Sequence, residues 1–179
     1  LAAPVAEAQA YVQQQDTAHL DETGWCERHL KAWLWTLVTP LVTVFALRRQ
    51  RNADVARELL GDATTAIVNS DRCNAYDLLP VAQRQTCWAH LERTFEKFVA
   101  RGGEAKQIGQ KLLDHTHRLF HLWHRVQAGT LAGSSFRTYV SDLRWRVSFE
   151  LQYGQWFADA KTKRTCANLL AIEPAIWTF

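Results

Sequence analysis

The chain has 179 residues, of which 47% are hydrophobic and 22% charged, a composition ordinary for a globular protein with a buried core. Its net charge of +3 is compatible with DNA binding, although dedicated DNA-binding domains are usually more basic. The chain has eight tryptophans, which do not distinguish a well-packed core from a nucleic-acid-binding surface, because indole rings both pack in cores and stack on bases. The four cysteines are scattered without a Cys-x-x-Cys pair, and no signal-peptide pattern is evident, which predicts a reduced cytoplasmic protein.

The first part of the chain predicts one helix followed by three strands. Pro4 suits the first turn of a helix over residues 4–15. A short apolar run ending on an aspartate predicts a strand near 17–23. The apolar stretch 32–47 is shorter than the roughly 20 residues of a membrane-spanning helix, and Pro40 interrupts it. Its residue types favour strands, so it predicts two paired antiparallel strands rather than a membrane segment.

Helices and strands then alternate up to about residue 90. Asn52 is a suitable N-cap for a helix from Ala53 to Leu60. A second apolar run ending on an aspartate predicts a strand near 65–70, and a last short strand is predicted near 85–88. By periodicity alone, this order favours an α/β or α+β protein.

After residue 90 the apolar spacing is helical, and no alternating pattern indicates a strand. The most regular stretch predicts a helix over 134–152, with Gly154 as a break, and a further helix is predicted over 161–170. The whole segment 91–179 is therefore expected to be helical. Basic residues on these helices either contact phosphates or simply face solvent, and the sequence leaves both interpretations open: Arg137, Arg144, Arg146, Lys161, Lys163 and Arg164.

Asp21 and Asp71 are the candidate catalytic residues, since each ends one of the short apolar runs. A carboxylate in that position is costly unless its charge is offset. Each aspartate alone could simply cap the following turn, but two in one α/β unit favour convergence on a divalent metal. Oxygen ligands with few other protein groups suit Mg²⁺ or Mn²⁺. Strand alternation directs Glu22 to the face opposite Asp21, so Glu22 is left out of this site.

Two other groups of potential metal ligands have a more ordinary interpretation. Cys87 and His90 supply two ligands where a structural zinc site needs four, which favours a buried thiol and a hydrogen-bonded imidazole. The histidine cluster His115–His124 has three members on one helical face, which favours a polar face rather than a metal site. Metal binding at either place remains open at this point.

Several short motifs, taken in their order along the chain, resemble the DDE transposases of the insertion-sequence-66 family. The resemblance covers nearly the whole chain. No single motif is decisive, but the ordered set is specific: Asp21-Glu22-Thr23-Gly24-Trp25, Trp33-Leu34-Trp35, Val38-Thr39-Pro40, Ser70-Asp71-Arg72, Ala75-Tyr76, Cys87-Trp88-Ala89-His90-Leu91, Asn168-Leu169-Leu170 and Glu173-Pro174-Ala175-Ile176-Trp177-Thr178-Phe179.

This resemblance implies a fold, a reaction and a metal. The fold would be α/β, an RNase H-like mixed sheet core over residues 1–90 with an α-helical insertion subdomain over 91–179. The reaction would be metal-dependent phosphoryl transfer that cuts transposon ends and joins the 3′-hydroxyls to target DNA. Asp21 and Asp71 would be the first two acids, holding Mg²⁺ or Mn²⁺. The expected partner is double-stranded DNA, with no membrane and a homo-oligomeric full-length protein.

The third acid of such enzymes would be a glutamate in an Asn-Asn-x-x-Glu-Arg-like stretch, which this sequence lacks. The in-chain candidates Glu92, Glu150 and Glu173 do not fit that motif. The chain is therefore expected to be an incomplete catalytic region, inactive by itself. The alternatives are an RNase H-like nuclease with other substrates, a DNA-binding module without catalysis, and a helical metal-binding protein.

Overall fold

The computed structural model describes residues 2–178, without the side chains of Ala2 and Glu27. In this part of the chain there are five strands and seven α-helices. The first elements are α1 (Ala2–Gln13), β1 (Thr17–Glu27), β2 (Leu30–Val38), β3 (Thr43–Arg48), α2 (Ala53–Leu60), β4 (Ile67–Ser70) and β5 (Arg84–Thr86), with 3₁₀ turns at Asn74–Tyr76 and Val81–Gln83. The remaining elements are α3 (Trp88–Arg101), α4 (Gly103–Gln127), α5 (Gly133–Phe157), α6 (Ala160–Ala171) and α7 (Glu173–Ile176).

The contacts between residues divide the chain into two compact units. The sheet unit consists of Leu1–Cys87 with Pro174–Phe179, and the helical unit consists of Trp88–Glu173. Within the sheet unit, the side-chain amide of Gln85 donates to the carbonyl of Ile176 at 3.4 Å, so the C-terminal segment lies against β5. The division into a catalytic core and an insertion subdomain stays a prediction.

The five strands form one mixed sheet in the order β3-β2-β1-β4-β5. Antiparallel pairing joins β1 to β2 and β2 to β3, while β1–β4 and β4–β5 are parallel. The predicted mixed α/β class is confirmed. β1 continues to Glu27, four residues beyond the predicted end, because a two-residue turn with Arg28 at φ 56° returns the chain and supplies β2 as a hydrogen-bonding partner.

The two faces of this sheet differ in their burial. On β1, Ala18, Leu20 and Glu22 lie on the buried face, in the core that also contains α1 and α2 residues. The alternate residues of β1, including Asp21, are exposed. The pairing register places Phe45 and Leu47 of β3 on this second face, where they are 63% and 45% exposed. Asp21 therefore lies on an open sheet face that also carries exposed apolar side chains.

The local signals around α2 predicted its position correctly. Asn52 Oδ1 accepts a hydrogen bond from the backbone N–H of Val55 at 3.2 Å, which caps the helix. Gly61 follows the last helical residue with φ 85°, a conformation that glycine adopts without strain. The buried side of this helix then packs into the core of the sheet unit: Val55, Ala56, Leu59 and Leu60.

Residues 91–178 contain no strand, which agrees with the predicted helical segment, and Phe179 lies outside the described residues. The expected break at Gly154 is wrong, since α5 runs without interruption to Phe157. Gly154 is buried against α6, and a Cβ at this position would lie 2.7 Å from Sγ of Cys166. The glycine therefore serves close helix packing rather than helix termination.

Gly109 plays a similar part between α3 and α4, and its replacement by alanine is expected to be destabilising. A Cβ there would meet the carbonyl oxygen of Phe95 at 2.7 Å and Cβ of Phe98 at 2.8 Å, close to backbone that has little freedom to move. We expect Gly109→Ala to lower the free energy of unfolding by about 1–2 kcal/mol, because overpacking outweighs the gain in helix propensity. Urea unfolding followed by circular dichroism measures this change.

Gly133→Ala is the matched control, because the nearest atom to its added Cβ is the flexible Arg137 Nη1 at 4.0 Å. That variant should keep its free energy of unfolding within about 0.5 kcal/mol of the wild-type value. Equal stability of the two variants would contradict the close approach of α3 and α4.

The hydrophobic segments and the cysteines have ordinary roles in this structure. Among residues 2–178 there is no helix that is both long and apolar enough to cross a membrane. All four cysteines are free thiols, from the exposed Cys26 to the buried Cys166. Burial raises the pKa of the Cys166 thiol to about 12.

Candidate active site

The sheet register brings the two predicted catalytic aspartates to the same level of neighbouring strands. β1 and β4 run parallel, and their last recorded pair joins His19 to Asn69. Asp21 and Asp71 each follow that pair by two residues, Asp21 within β1 and Asp71 directly after the end of β4. The topology therefore places the backbone of the two residues at one level of neighbouring strands, although their side chains have different surroundings.

Asp71 is held by contacts to two neighbouring groups. Its Oδ1 accepts the backbone N–H of Cys73 at 2.7 Å, and its Oδ2 accepts from Nη2 of Arg51 at 3.2 Å. The side chain is 20% exposed. These contacts fix the direction of the carboxylate while one edge remains accessible.

Asp21 has a much more open environment. Its residue is exposed, and its Oδ1 accepts the backbone N–H of Glu22 at 3.0 Å. Across the antiparallel pair it faces Thr36 of β2. An exposed carboxylate in this position can bind a hydrated cation without first losing an internal ion pair.

Glu22 is the acid that the structure groups with Asp71. Potential metal-ligand atoms of Glu22, Asp71 and Cys73 all lie within 4.8 Å of one another. Among residues 2–178, these three residues form the one such cluster of three potential ligands. Asp21 is not a member of this group, so its role as a metal ligand stays a prediction. The burial of Glu22 and the exposure of Asp21 agree with the predicted opposite faces of β1. Glu22 nevertheless lies near Asp71, because Arg51 contacts both carboxylates.

Glu22 belongs to a buried hydrogen-bond network. Its side chain has 0% exposure, one oxygen accepts from Nε of Arg51 at 2.5 Å, and the other accepts a short hydrogen bond from the hydroxyl of Tyr76. The guanidinium of Arg51 also lies 5.0 Å from the centre of the Trp33 ring. Arg51 thus bridges Glu22 and Asp71 and supplies positive charge between them.

The ionisation of this network reflects its burial. Burial raises the pKa of Glu22, and the hydrogen bonds from Tyr76 and Arg51 oppose that rise without cancelling it. Burial, and then the bond to Glu22, raise the pKa of the Tyr76 hydroxyl, which therefore remains a hydrogen-bond donor. Arg51 partly neutralises the two carboxylates and holds them in one network.

The other predicted ligands are not gathered into a metal site in the described part of the chain. The backbone N–H of Cys87 donates to the carbonyl of Ser70 at 2.8 Å, which attaches the end of β5 to β4. The buried Nδ1 of His90 has no hydrogen-bond partner among residues 2–178. In the His115–His124 cluster, His117 pairs with Glu92 at 3.1 Å.

The three in-chain candidates for a third acid all lie in the helical unit, and each contacts a basic group there. Glu92 contacts His117 at 3.1 Å, and Glu150 contacts Lys111 at 3.1 Å. Glu173 forms two hydrogen bonds of 2.6 Å with the guanidinium of Arg144.

A model of the transposase IS66 family matches residues 1–164 of the 179-residue chain. The chain belongs to this family. The family membership inferred from the ordered motifs is thereby confirmed, and it implies DNA as the substrate class of this IS66-family protein. The comparisons found no significant match to a curated protein or to a solved structure.

Sequence reasoning on this IS66-family chain missed Glu22, Arg51 and Tyr76 as members of one network. A signal for Glu22 was present, because it continues the alternation of Ala18 and Leu20 onto the buried face. A buried glutamate requires a hydrogen-bonded or cationic partner. The sequence alone did not identify that partner, since Arg51 is 29 residues away and stands in a basic run that reads as a loop.

Proposed function

We propose that this IS66-family chain is the catalytic region of a DDE transposase with an RNase H-like core. The proposed reaction cuts transposon ends and joins the freed 3′-hydroxyls to target DNA, with Asp21 and Asp71 as the first two catalytic acids. The observation that carries the proposal is the position of these aspartates at one level of the parallel strands β1 and β4.

The sheet supports the proposed core by its order and strand directions. Three antiparallel strands come first, and β4 is then added parallel to β1 and β5 parallel to β4. A meander followed by alternating helices and strands is the arrangement expected of an RNase H-like core. By the same resemblance, we propose residues 1–90 as this core and residues 91–179 as an α-helical insertion, of which the structure describes 91–178.

The available ligands fit Mg²⁺ or Mn²⁺ better than a softer metal. Asp21 and Asp71 supply carboxylate oxygens, and Mg²⁺ is usually bound by one or two carboxylates together with several waters. Ions of this kind activate a water or 3′-hydroxyl and stabilise the leaving oxygen in phosphoryl transfer. Arg51 and the N–H of Cys73 hold the Asp71 carboxylate in a fixed direction for this task.

The proposed partners follow from the family and from this chemistry. Double-stranded DNA, as transposon ends and as target, would approach the exposed face that carries Asp21. A homo-oligomer is proposed for the full-length protein, since both transposon ends are joined to the target DNA in one reaction. The third acid is not assigned to Glu92, Glu150 or Glu173, because none of them stands in the Asn-Asn-x-x-Glu-Arg-like stretch that the resemblance leads us to expect.

The test is cleavage and strand transfer by the complete gene product on DNA carrying the ends of its own element. The proposal expects nicking at the ends in Mg²⁺ or Mn²⁺, joining of the 3′-hydroxyl to a second duplex, and no reaction in EDTA. Metal-dependent cutting of any DNA without joining would favour an RNase H-like nuclease. Duplex binding that needs neither metal nor aspartates, and leads to no cutting, would favour a DNA-binding module.

A further inference from the structure

Helix α5 carries a row of exposed aromatic side chains that the proposed chemistry does not use. Trp145, Phe149 and Trp156 are 66%, 50% and 72% exposed. Spacings of four and seven residues place all three on one side of the helix, and we call them the aromatic stripe. The rings of Trp145 and Phe149 stack, with centroids 5.8 Å apart and an interplanar angle of 20°. Large exposed apolar groups in a row are typical of an interaction surface.

A cleft of about 350 Å³ lies beside the stacked pair, within the helical unit. This volume is near the lower end for small-molecule sites. The cleft combines an aromatic wall with basic and acidic side chains from α4 and α5: Lys111, Asp114, His115, Trp145, Arg146, Phe149 and Glu150. Flat rings beside cations are the chemistry that receives a nucleotide, since the base stacks and the phosphate pairs with the cation.

The charge of the chain is distributed in favour of an anionic partner for the helical unit. Residues 88–173 contain 13 Lys and Arg and 8 Asp and Glu, a net charge of +5. The sheet unit contains 8 and 10, a net charge of −2. A positive unit attracts a polyanion, whereas a second copy of the same unit would bring like charge to the stripe.

The two cations of the cleft remain available to a phosphate. Lys111 pairs with Glu150 at 3.1 Å and Arg146 with Asp142 at 2.8 Å, and both cationic side chains are more than half exposed. The Arg146–Asp142 pair is exposed on both sides, weak and screened by salt, so a phosphate can compete for Arg146. The Glu150 side chain is only 9% exposed, so Lys111 stays paired with it and meets a phosphate through its own exposed side.

We propose that the aromatic stripe binds unpaired nucleotides of DNA, with bases stacked on Trp145, Phe149 and Trp156 and phosphates near Lys111 and Arg146. Unpaired rather than duplex DNA is the partner, because bases inside a duplex already stack on each other and offer only their edges. The inference rests on DNA as the substrate of the proposed function, but it needs neither the metal nor the two aspartates.

The test measures binding of a fluorescent oligothymidine of about 20 nucleotides, longer than a typical single-strand site, and of a matched duplex. Fluorescence anisotropy in EDTA excludes any contribution from metal chemistry. Trp145→Ala and Trp156→Ala should each weaken single-strand binding by roughly fivefold to hundredfold, with duplex binding changed much less. Trp145→Phe should retain most of the affinity because a ring remains.

Tyr139→Ala is the matched control, since Tyr139 is 42% exposed on α5 but lies on another side of the helix. It should bind both DNAs like the wild type, and circular dichroism should show all variants folded. Equal single-strand binding by Trp145→Ala, Trp156→Ala and Tyr139→Ala would overturn the proposal. Loss of self-association in sedimentation with unchanged DNA binding would also overturn it, because the stripe would then contact a second copy.

An Asp21→Asn arm separates this inference from the proposed function. That variant should bind oligothymidine normally, since Asp21 lies outside the helical unit. In the wild-type protein, stripe-dependent binding of oligothymidine without end cleavage would count against the proposed function alone. Normal cleavage by the wild type together with stripe-independent binding would count against this inference alone.

Discussion

Replacing Arg51 with alanine is expected to lower the free energy of unfolding by about 2–3 kcal/mol at pH 8. The variant leaves the carboxylate of Glu22, whose side chain has 0% exposure, without its cationic partner. Removing one member of a buried ion pair costs about 3–5 kcal/mol, and the 33% exposure of the Arg51 side chain places the expectation below that range. Asp71 loses the same partner, so the turn after β4 should also become less ordered.

The loss of stability in Arg51→Ala should depend on pH, and the protonation of Glu22 sets the direction of that dependence. Burial raises the pKa of Glu22, and Arg51 opposes that rise, so the pKa rises further in Arg51→Ala. An acid whose pKa is higher in the folded state than in the unfolded chain becomes less destabilising as the pH falls through its folded value. The deficit of Arg51→Ala should therefore be largest at pH 8 and decrease towards pH 5, as measured by urea unfolding across this range.

Arg48→Ala is the control, because Arg48 pairs with Glu58 at 2.5 Å but that glutamate side chain is 50% exposed. Such a pair contributes at most about 1 kcal/mol. The double variant Arg51→Ala with Glu22→Gln should recover part of the loss at pH 8, since no unpaired charge remains buried. A deficit for Arg51→Ala no greater than that for Arg48→Ala would contradict the buried network.

Asp21→Asn and Asp71→Asn are each expected to reduce metal-dependent end cleavage by at least about 10³-fold in the complete gene product. Loss of a metal ligand removes several kcal/mol of transition-state stabilisation, and each 1.36 kcal/mol corresponds to a factor of ten. Asp21 is exposed and accepts only a local backbone hydrogen bond in the described structure, so Asp21→Asn should fold with unchanged stability. The readouts are initial nicking rates and the thermal midpoint.

Glu22→Gln distinguishes a supporting role from a ligand role. If Glu22 acts through Arg51 and Asp71, its variant should lose about 10- to 100-fold in activity, the range for residues that orient a ligand, and should also lose stability. Titration with Mn²⁺ followed by electron paramagnetic resonance then compares the variants directly. If Glu22→Gln and Cys73→Ser abolish Mn²⁺ binding while Asp21→Asn does not, the metal is held by Glu22, Asp71 and Cys73, and the assignment of Asp21 fails.

The sequence by itself determined the features that depend on residues close to each other along the chain. The Asn52 cap and Gly61 mark the ends of α2 correctly, because a cap bond and a positive φ are decided within a few residues. The helical period beyond residue 90 predicted helices for the same reason, and short motifs in order were sufficient to recognise the family.

Only the tertiary structure decided which side chains meet. A glycine inside a helical pattern predicts a break, but Gly154 lies within α5 and allows close packing against Cys166. Glu22 is adjacent to Asp21 in sequence, but it lies on the buried face of β1. There it contacts Tyr76 and Arg51, and Arg51 also contacts Asp71. Partners separated by 20 to 54 residues leave no local trace, because their energy arises from burial and charge that exist only after the sheet has formed.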